Sequence, residues 1–299
     1  MNILVTGGAG YIGRHVVHKL IARGDNVVIV DNLHGGNTRY ISASQLVRAD
    51  VGDARVLTKV MHGVDAVIHL AGLISVAESM VYPAVYYDAN VVQLKTLLDV
   101  MTAANVPRLV FASSAAVYAG GQLLAENAPM APGNVYGATK AAGEAMVNAY
   151  AKAHGFTAVT LRFFNVAGAS ERAGQDGNGH LVVNAVHAAL ACDPLPVYGN
   201  AMRDYVHVVD VADACVRALT VNKSVTANIA TGQGHTTREV LQMVTEVTGQ
   251  QVVIRDCQAR AYEPIGLSGN AALARDVLNW APAHSNLRRI VADVWRWWS

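Results

Sequence analysis

The sequence predicts an α/β fold in which a doubly wound parallel sheet is joined to a smaller mixed α/β domain. Apolar runs of strand length alternate with helix-like stretches through the first half of the chain. Such runs are typical of parallel strands that helices cover on both faces. A glycine-rich turn follows the first strand, and past Asn165 the pattern becomes polar and glycine-rich. With 299 residues, 52% of them hydrophobic and 15% charged, the chain is long enough for a large and a small domain.

The first strand, residues 3–6, leads into a turn that is built on glycines. Gly7, Gly10 and Gly13 have G-x-x-G-x-x-G spacing, and a helix-like run over residues 13–23 follows. Small residues at these positions let backbone N–H groups at a helix N-terminus approach a pyrophosphate. The turn therefore predicts a dinucleotide site.

The second strand, residues 27–30, ends on an acidic residue, Asp31. A carboxylate at this strand end accepts hydrogen bonds from the ribose hydroxyls of adenosine and repels a 2′-phosphate. This position favours NAD over NADP.

Further strands and helices continue the alternation. The predicted strands are residues 46–49, 66–70, 109–112 and 157–162, and the predicted helices are residues 54–61, 85–104 and a helix that follows Tyr136. In a doubly wound sheet, ligands bind outside the carboxyl ends of the strands. We therefore expect the functional residues in the segments that follow these strands.

The second half of the chain changes character. Residues 170–179 are predicted as a polar surface loop, residues 181–191 as a helix, and residues 206–219 as a return to the first sheet. We predict a dinucleotide-binding domain over residues 1–166, with return segments at about 204–231. Residues 167–203 and 232–299 would form the smaller, substrate-binding domain.

Tyr136 and Lys140 are four residues apart on a predicted helix, so they share one helical face. An ammonium near a phenol favours the phenolate and lowers the pKa of the phenol from its usual value of about 10. Tyr136 is thus a candidate general base. Ser114, at the end of a predicted strand, could bond a substrate hydroxyl or carry its proton to Tyr136, whereas Ser113 is expected to satisfy the backbone of the turn.

Composition excludes several kinds of partner. The formal net charge is +1 without a basic run, which argues against nucleic acid binding. We expect no signal peptide, no membrane span and a cytoplasmic location. The 11 histidines show no metal-ligand spacing, so no metal is expected.

Several motifs together resemble the extended short-chain dehydrogenase/reductase family, and within it the UDP-galactose 4-epimerases. They lie at residues 5–13, 31–33, 69–72, 86–90, 113–114, 136–140, 162–165 and 203–208. The resemblance covers nearly the whole chain. It implies a Rossmann domain that holds NAD tightly, and a homodimer formed through residues 85–104 and 138–152.

The resemblance also implies the cofactor-binding residues. They are Gly7, Gly10, Tyr11, Ile12, Gly13, Asp31, Asn32, Leu33, Asp50, Val51, Leu70, Ala71, Gly72, Asn90, Tyr136, Lys140 and Phe164. Among them, Asp50 and Val51 would hold the adenine, and Lys140 would bind the nicotinamide ribose.

A nucleotide sugar is the substrate that the resemblance implies. Tyr136, Lys140 and Ser114 would be the catalytic residues. Substrate would be bound by Ser114, Tyr136, Asn165, His180, Leu181, Tyr198, Arg203, Arg260 and Glu263. A nucleotide diphosphate carries about two negative charges that arginine neutralises well, which favours Arg203 and Arg260 as its ligands.

The implied reaction is 4-epimerisation by transient oxidation at C4 of the sugar, with hydride return to the opposite face. Two alternatives stay open. A net oxidoreductase that releases NADH is favoured by Ile74, since the epimerases have a cofactor-contacting lysine there. A non-catalytic dinucleotide sensor or scaffold is the other alternative, although such proteins usually lose the Tyr or the Lys. The sequence leaves the sugar and the nucleotide base open.

Overall fold

The computed structural model describes residues 1–41, 45–170, 173–174 and 180–299. Its strands are β1 (Asn2–Thr6), β2 (Asn26–Asp31), β3 (Gln45–Arg48), β4 (Ala66–His69), β5 (Arg108–Ser114), β6 (Gly121–Leu124), β7 (Thr157–Phe163), β8 (Asn165–Ala167), β9 (Leu195–Tyr198), β10 (Met202–His207), β11 (Val225–Ile229), β12 (Gly234–Thr236), β13 (Ile254–Cys257) and β14 (Gly266–Gly269). Its α-helices are α1 (Tyr11–Ala22), α2 (Ala54–Val60), α3 (Val76–Val81), α4 (Pro83–Tyr87), α5 (Gln93–Ala103), α6 (Val135–His154), α7 (Leu181–Ala191), α8 (Val208–Ala218), α9 (Thr237–Thr248), α10 (Ala272–Leu278) and α11 (Leu287–Trp298). Within the described ranges, none of these helices has the length and apolar character needed to cross a membrane.

A seven-stranded sheet with the order β11-β7-β5-β4-β1-β2-β3 forms the larger layer of the described chain. Every pair of neighbouring strands in it is parallel. The strand order reverses direction beside β1, so the carboxyl ends of β1 and β4 flank a crevice. The predicted doubly wound parallel sheet is confirmed.

Helices cover both faces of this sheet because its strands carry apolar side chains on both sides. Ile3 and Val5 of β1 belong to a buried cluster that includes residues of α1 and α8. Leu4, between them, belongs to a second cluster that includes residues of α2 and α5. Successive residues of a strand point to opposite faces, so a continuous apolar run buries both faces.

A second, mixed sheet has the order β12-β10-β14-β6, and β8 also pairs with β10. The β10–β12 pair is antiparallel, and the β10–β14, β14–β6 and β10–β8 pairs are parallel. Three helices, α7, α9 and α11, pack against one another over a third apolar cluster that includes Val186, Val244 and Val291.

The predicted return segment, residues 204–231, is divided between the two sheets. β11 pairs with β7 in the first sheet and α8 packs against α1, whereas β10 lies in the second sheet. The boundaries of the two expected domains stay a prediction.

The helix predicted over residues 85–104 has an internal irregularity. α4 and α5 are joined by a π-helical segment, Asp88–Val92, with the buried Asn90 at its centre. A π-helical turn adds a residue to the helical repeat and is frequent at functional sites. The predicted loop over residues 170–179 falls mostly outside the described residues, and Ser170 forms a β-bridge with Gly174.

A buried carboxylate on β10 connects that strand to the segment after β11 and to the end of β14. Asp204 on β10 is completely buried and accepts hydrogen bonds from Thr231 N and Oγ1 at 2.9 and 2.6 Å. It also accepts from Gly232 N at 2.8 Å and Gly269 N at 3.3 Å. Asp204 therefore ties β10 to the segment after β11 in the first sheet and to β14 in the second.

We expect Asp204→Ala to lower the free energy of unfolding by about 3 kcal/mol, because it leaves several buried donors without an acceptor. Urea denaturation measures this change. The matched control is Asp256→Ala, since Asp256 is exposed and pairs with an exposed Arg238. Equal stability of the two variants would contradict the proposed contribution of these hydrogen bonds.

Candidate active site

The glycine turn after β1 forms a cradle of backbone without side chains. Gly7 has a φ of +70°, and a Cβ atom there would lie 2.5 Å from the backbone N of Ala71 at the end of β4. Gly10 is the N-cap residue of α1 and offers no side-chain acceptor to the first turn of the helix. A helix N-terminus that the backbone can approach this closely fits the pyrophosphate of a dinucleotide. Tyr11, Ile12 and Gly13 make up that first turn.

The predicted adenosine end is organised by Asp31. Its carboxylate is buried and accepts hydrogen bonds from Ala9 N at 2.9 Å and from Leu33 N at 2.8 Å. Each carboxylate oxygen keeps a second lone pair, so contact with ribose hydroxyls remains open. Asn32 donates to Asp50 at 2.7 Å. The side chain of Val51, expected at the adenine, is buried in the apolar core.

The segment after β4, Leu70 to Leu73, is held by Asn90 of the π-helical segment. The side chain of Asn90 accepts from Leu73 N at 2.8 Å and donates to Leu73 O at 2.9 Å. It also donates to Thr139 Oγ1 on α6 at 3.0 Å. Gly72 has a φ of +152°, and a Cβ atom there would lie 2.8 Å from Asn90 Oδ1. Asn90 thus holds the segment after β4 in place beside α6.

The three predicted catalytic residues lie together where α6 meets the end of β5. Tyr136 is buried, and the side chain of Ser114 lies near enough to its phenol to favour the phenolate by hydrogen bonding. Lys140 is also buried, donates to Ala112 O at 2.9 Å, and has its ammonium 6.0 Å from the centroid of the Tyr136 ring. The protein alone therefore brings the three residues together.

Two glycines of α6 permit this approach. A Cβ atom at Gly137 would collide with the carbonyl oxygen of Ala116, and one at Gly143 would lie 2.9 Å from the Phe111 ring. Asn134 caps α6 by accepting from Gly137 N at 2.8 Å. The helix can therefore bring its first turns close to the strand.

The pKa values of the two groups differ from the sequence expectation. Burial raises the pKa of Tyr136, and the hydrogen bond with Ser114 opposes that rise. Burial lowers the pKa of Lys140 to about 8, and the charge of Glu144 opposes this change. The expectation that Lys140 lowers the pKa of Tyr136 is therefore wrong for the protein alone. Desolvation of the phenol is the largest effect, and the ammonium is bonded to a carbonyl oxygen instead.

A second cluster combines two arginines, one carboxylate and a tyrosine. Glu263 pairs with Arg203 at 3.4 Å and with Arg260 at 2.9 Å. Arg203 also donates to Pro264 O at 2.8 Å, and burial lowers its pKa. The guanidinium of Arg260 stacks 3.9 Å from the centroid of the Tyr198 ring. Two cations with one anion leave one positive charge for an anionic ligand.

The remaining predicted substrate residues lie around the second sheet. Asn165 begins β8 and is paired in register with Tyr205 on β10. Phe164, a predicted cofactor-binding residue, is buried against Gly269, where a Cβ atom would lie 2.5 Å from the Phe164 ring. His180 caps α7 without a side-chain bond, Leu181 is the first residue of that helix, and burial lowers the pKa of His180.

Sequence reasoning missed residues that support the catalytic cluster. Ser79 Oγ accepts from Tyr136 N at 3.1 Å, and Thr139 bonds Asn90. Glu144 accepts from Ser113 and Arg162 beneath the cluster. Only Glu144 left a signal in the sequence, because it is four residues beyond Lys140 and shares its helical face.

The sequence profile of the NAD dependent epimerase/dehydratase family matches residues 3–230 of this chain. The chain is 40% identical to a UDP-glucose 4-epimerase of Azospirillum brasilense, over 99% of this chain and 91% of that protein. It is 37% identical to one of Corynebacterium glutamicum, over 99% of this chain and 95% of that protein.

Solved structures resemble the whole fold. That of UDP-glucose 4-epimerase from Brucella ovis in complex with NAD has a TM-score of 0.94 at 34% identity, and covers 99% of this chain and 97% of that chain. That of UDP-glucose 4-epimerase from Bifidobacterium longum in complex with NAD+ and UDP has a TM-score of 0.95 at 29% identity, and covers 99% of this chain and 98% of that chain. The expected family resemblance and the NAD dependence are confirmed, and the chain belongs to the NAD dependent epimerase/dehydratase family.

Proposed function

We propose that this protein is a UDP-hexose 4-epimerase that oxidises the sugar at C4 and reduces it again on the opposite face. The observation that carries the proposal is the grouping of the buried Tyr136 with Ser114 at the end of β5 and with the ammonium of Lys140, 6.0 Å from the centroid of its ring. It lies next to the glycine cradle of β1 and α1. The names of the similar proteins support UDP-glucose and UDP-galactose as the substrate pair.

Bound NAD supplies the hydride acceptor and donor for C4 of the sugar. Tyr136 takes the proton of the 4-hydroxyl as a phenolate and returns it after the sugar has turned. Ser114 bonds that hydroxyl and the phenol together, so the proton has a short path. Lys140, which is oriented by Ala112 O, would donate to the nicotinamide ribose.

The raised pKa of Tyr136 makes a nearby positive charge necessary for this role. A phenolate forms in a buried site only where cations offset the cost of desolvation. Lys140 supplies one such charge while it stays an ammonium, and bound NAD would supply another. The proposed base therefore becomes effective when the cofactor is in place.

Arg203 and Arg260 would anchor the diphosphate of the substrate. Both guanidinium groups pair with the same carboxylate, Glu263, so they lie close enough together to bind one diphosphate. Anchoring at the nucleotide leaves the sugar free to turn, because the reacting residues lie on other elements, β5 and α6. This separation is what hydride return to the opposite face requires.

A net oxidoreductase is the second candidate function. Ile74, 59% exposed after β4, places an apolar side chain beside the crevice. A site that holds NAD less firmly would release NADH after one oxidation. The contact between Tyr136 and Ser114 speaks against a silent dinucleotide sensor, because such a protein needs no proton acceptor.

We further propose that the protein forms a homodimer and that residues 85–104 and 138–152 contribute to its interface. Large apolar side chains are exposed within the first of these segments and just before it. Val81 ends α3, Tyr82 lies between α3 and α4, Val85 is on α4 and Val92 is in the π-helical segment, and they are 65%, 57%, 53% and 55% exposed. Large apolar side chains that are grouped and exposed mark an interaction surface in a soluble enzyme. A symmetric pairing would bury the same patch on both subunits.

The purified protein is expected to interconvert UDP-glucose and UDP-galactose without forming bulk NADH. Proton NMR of the anomeric signals follows the sugars, and absorbance follows NADH. Stoichiometric NADH with a 4-oxidised product would establish the oxidoreductase instead. A panel of UDP- and dTDP-sugars, including N-acetylhexosamines and hexuronates, identifies the preferred sugar and base.

Tyr136→Phe tests the base within the same assay. We expect turnover to fall about a thousandfold, since general base catalysis contributes on that order, while NAD stays bound. The matched control is Tyr150→Phe, because Tyr150 lies on the same helix and bonds Asp99 far from Ser114. An unchanged rate in Tyr136→Phe would refute the assignment.

Arg203→Met is expected to raise the KM for the UDP-sugar about a hundredfold, because a charge-assisted contact to phosphate is lost. NAD binding, measured by cofactor fluorescence, should stay unchanged and reports an intact fold. Arg238→Met serves as the control, since Arg238 pairs with Asp256 on the surface. A KM equal to that of the original protein would remove Arg203 from the anchor.

Val85→Glu combined with Val92→Glu is expected to convert a dimer into monomers, because buried unpaired carboxylates oppose association. Sedimentation velocity measures the change. Val253→Glu, a charge at an exposed apolar residue elsewhere, should leave the dimer intact. A monomeric original protein, or a dimer in all variants, would refute this interface.

A further inference from the structure

Glu144 is a buried carboxylate that the proposed reaction has not used. Its side chain is 2% exposed and lies one helical turn beyond Lys140 on α6. Ser113 Oγ donates to Glu144 Oε1 at 2.5 Å. Arg162 on β7 donates to Oε1 at 2.9 Å and to Oε2 at 2.7 Å. Both carboxylate oxygens therefore accept hydrogen bonds.

Arg162 is held as firmly as its partner. Its Nη1 donates to the hydroxyl of Tyr118 at 2.7 Å and to Glu126 O at 2.9 Å. Burying such a pair costs desolvation that packed apolar side chains would avoid, so stability alone gives no reason for its presence. A carboxylate kept at this cost beside a catalytic cluster indicates a role in that cluster.

Three consecutive residues of β5 contact α6, and Glu144 forms the middle one of these contacts. Ala112 O accepts from Lys140, Ser113 donates to Glu144, and the side chain of Ser114 bonds Tyr136. The two outer contacts involve the proposed catalytic residues. The middle contact fixes the register of the strand against the helix.

Lys140 has few charged neighbours in the described part of the chain. The titratable and charged groups around it are Tyr136 and Glu144 on α6, His69 at the end of β4, and Arg162 behind Glu144. Burial and the nearby ammonium lower the pKa of His69 to about 3, so that ring is neutral. Glu144 is the acidic group whose charge raises the pKa of Lys140 against the effect of burial.

We propose that Glu144 is a positioning residue for the reaction, which supplies the counter-charge to the Lys140 ammonium and holds the Ser113–Ser114 strand end against α6. This inference rests on the proposed roles of Tyr136 and Lys140. Without the charge of Glu144, the pKa of Lys140 falls further below its value of about 8. The amine then loses its proton at a lower pH, and Tyr136 loses a neighbouring cation.

NMR titration of the protein with its bound NAD tests the counter-charge directly. The chain has six lysines, so 13Cε-lysine labelling gives few signals, and Lys140→Met identifies the signal of Lys140. In Glu144→Gln we expect the titration midpoint of Lys140 to move down by about one pH unit, as for the loss of one nearby charge. An unchanged midpoint would overturn the proposal.

Two further variants separate charge from packing. Ser113→Ala removes one hydrogen bond and keeps the carboxylate, so the titration midpoint of Lys140 should not change. A shift as large as that in Glu144→Gln would contradict the proposed counter-charge. Arg162→Gln leaves the carboxylate without its paired cation, so the midpoint should move up. Arg162→Gln therefore provides the test if Glu144→Gln fails to fold. A lower titration midpoint of Lys140 in Arg162→Gln would contradict the proposal.

The pH dependence of turnover gives the second measurement. In Glu144→Gln the alkaline decline of the rate should begin at a lower pH, whereas a structural role alone would reduce the rate without moving the decline. Because the titration needs no turnover, it still decides the coupling of Lys140 to Glu144 if the protein fails to epimerise UDP-sugars.

Discussion

The contact between the first turns of α6 and the carboxyl end of β5 is the constraint on which the site depends. Tyr136 and Lys140 can act together on one substrate only if the helix lies close enough to the strand for Ser114 and Ala112 to reach them. Gly137 makes that distance possible, because any side chain there would meet the carbonyl of Ala116. The arrangement therefore needs a small residue at the contact and buried polar contacts at the same time.

Much of this arrangement could be predicted from local pattern. The alternation of apolar runs and helices indicates the parallel sheet, since each strand must bury both faces. The four-residue spacing places Tyr136 and Lys140 on one helical face, which holds wherever the helix packs. Both features follow from the residue pattern within a single strand or helix, which the sequence shows directly.

What could not be predicted depends on contacts between distant segments. The π-helical turn at Asn90 coincides with bonds to Leu73 and Thr139, 17 and 49 residues away in the chain. The pKa of Tyr136 rises because the fold buries the phenol, and spacing carries no information on burial. The pairing of Glu144 with Arg162 joins α6 to β7 in the same way.

The two ends of the proposed site share a charge pattern and differ in burial. At each end one carboxylate interacts with two cations. Glu144 pairs with Arg162 and lies one helical turn from Lys140, whose pKa its charge raises, and Glu263 pairs with both Arg203 and Arg260. The first carboxylate is 2% exposed, whereas the second is 31% exposed. Ion pairs that water can reach exchange partners at little cost, and buried pairs do not. In the proposed reaction, the nucleotide end would therefore release its arginines to a diphosphate, while the reacting end would keep its geometry as the sugar turns.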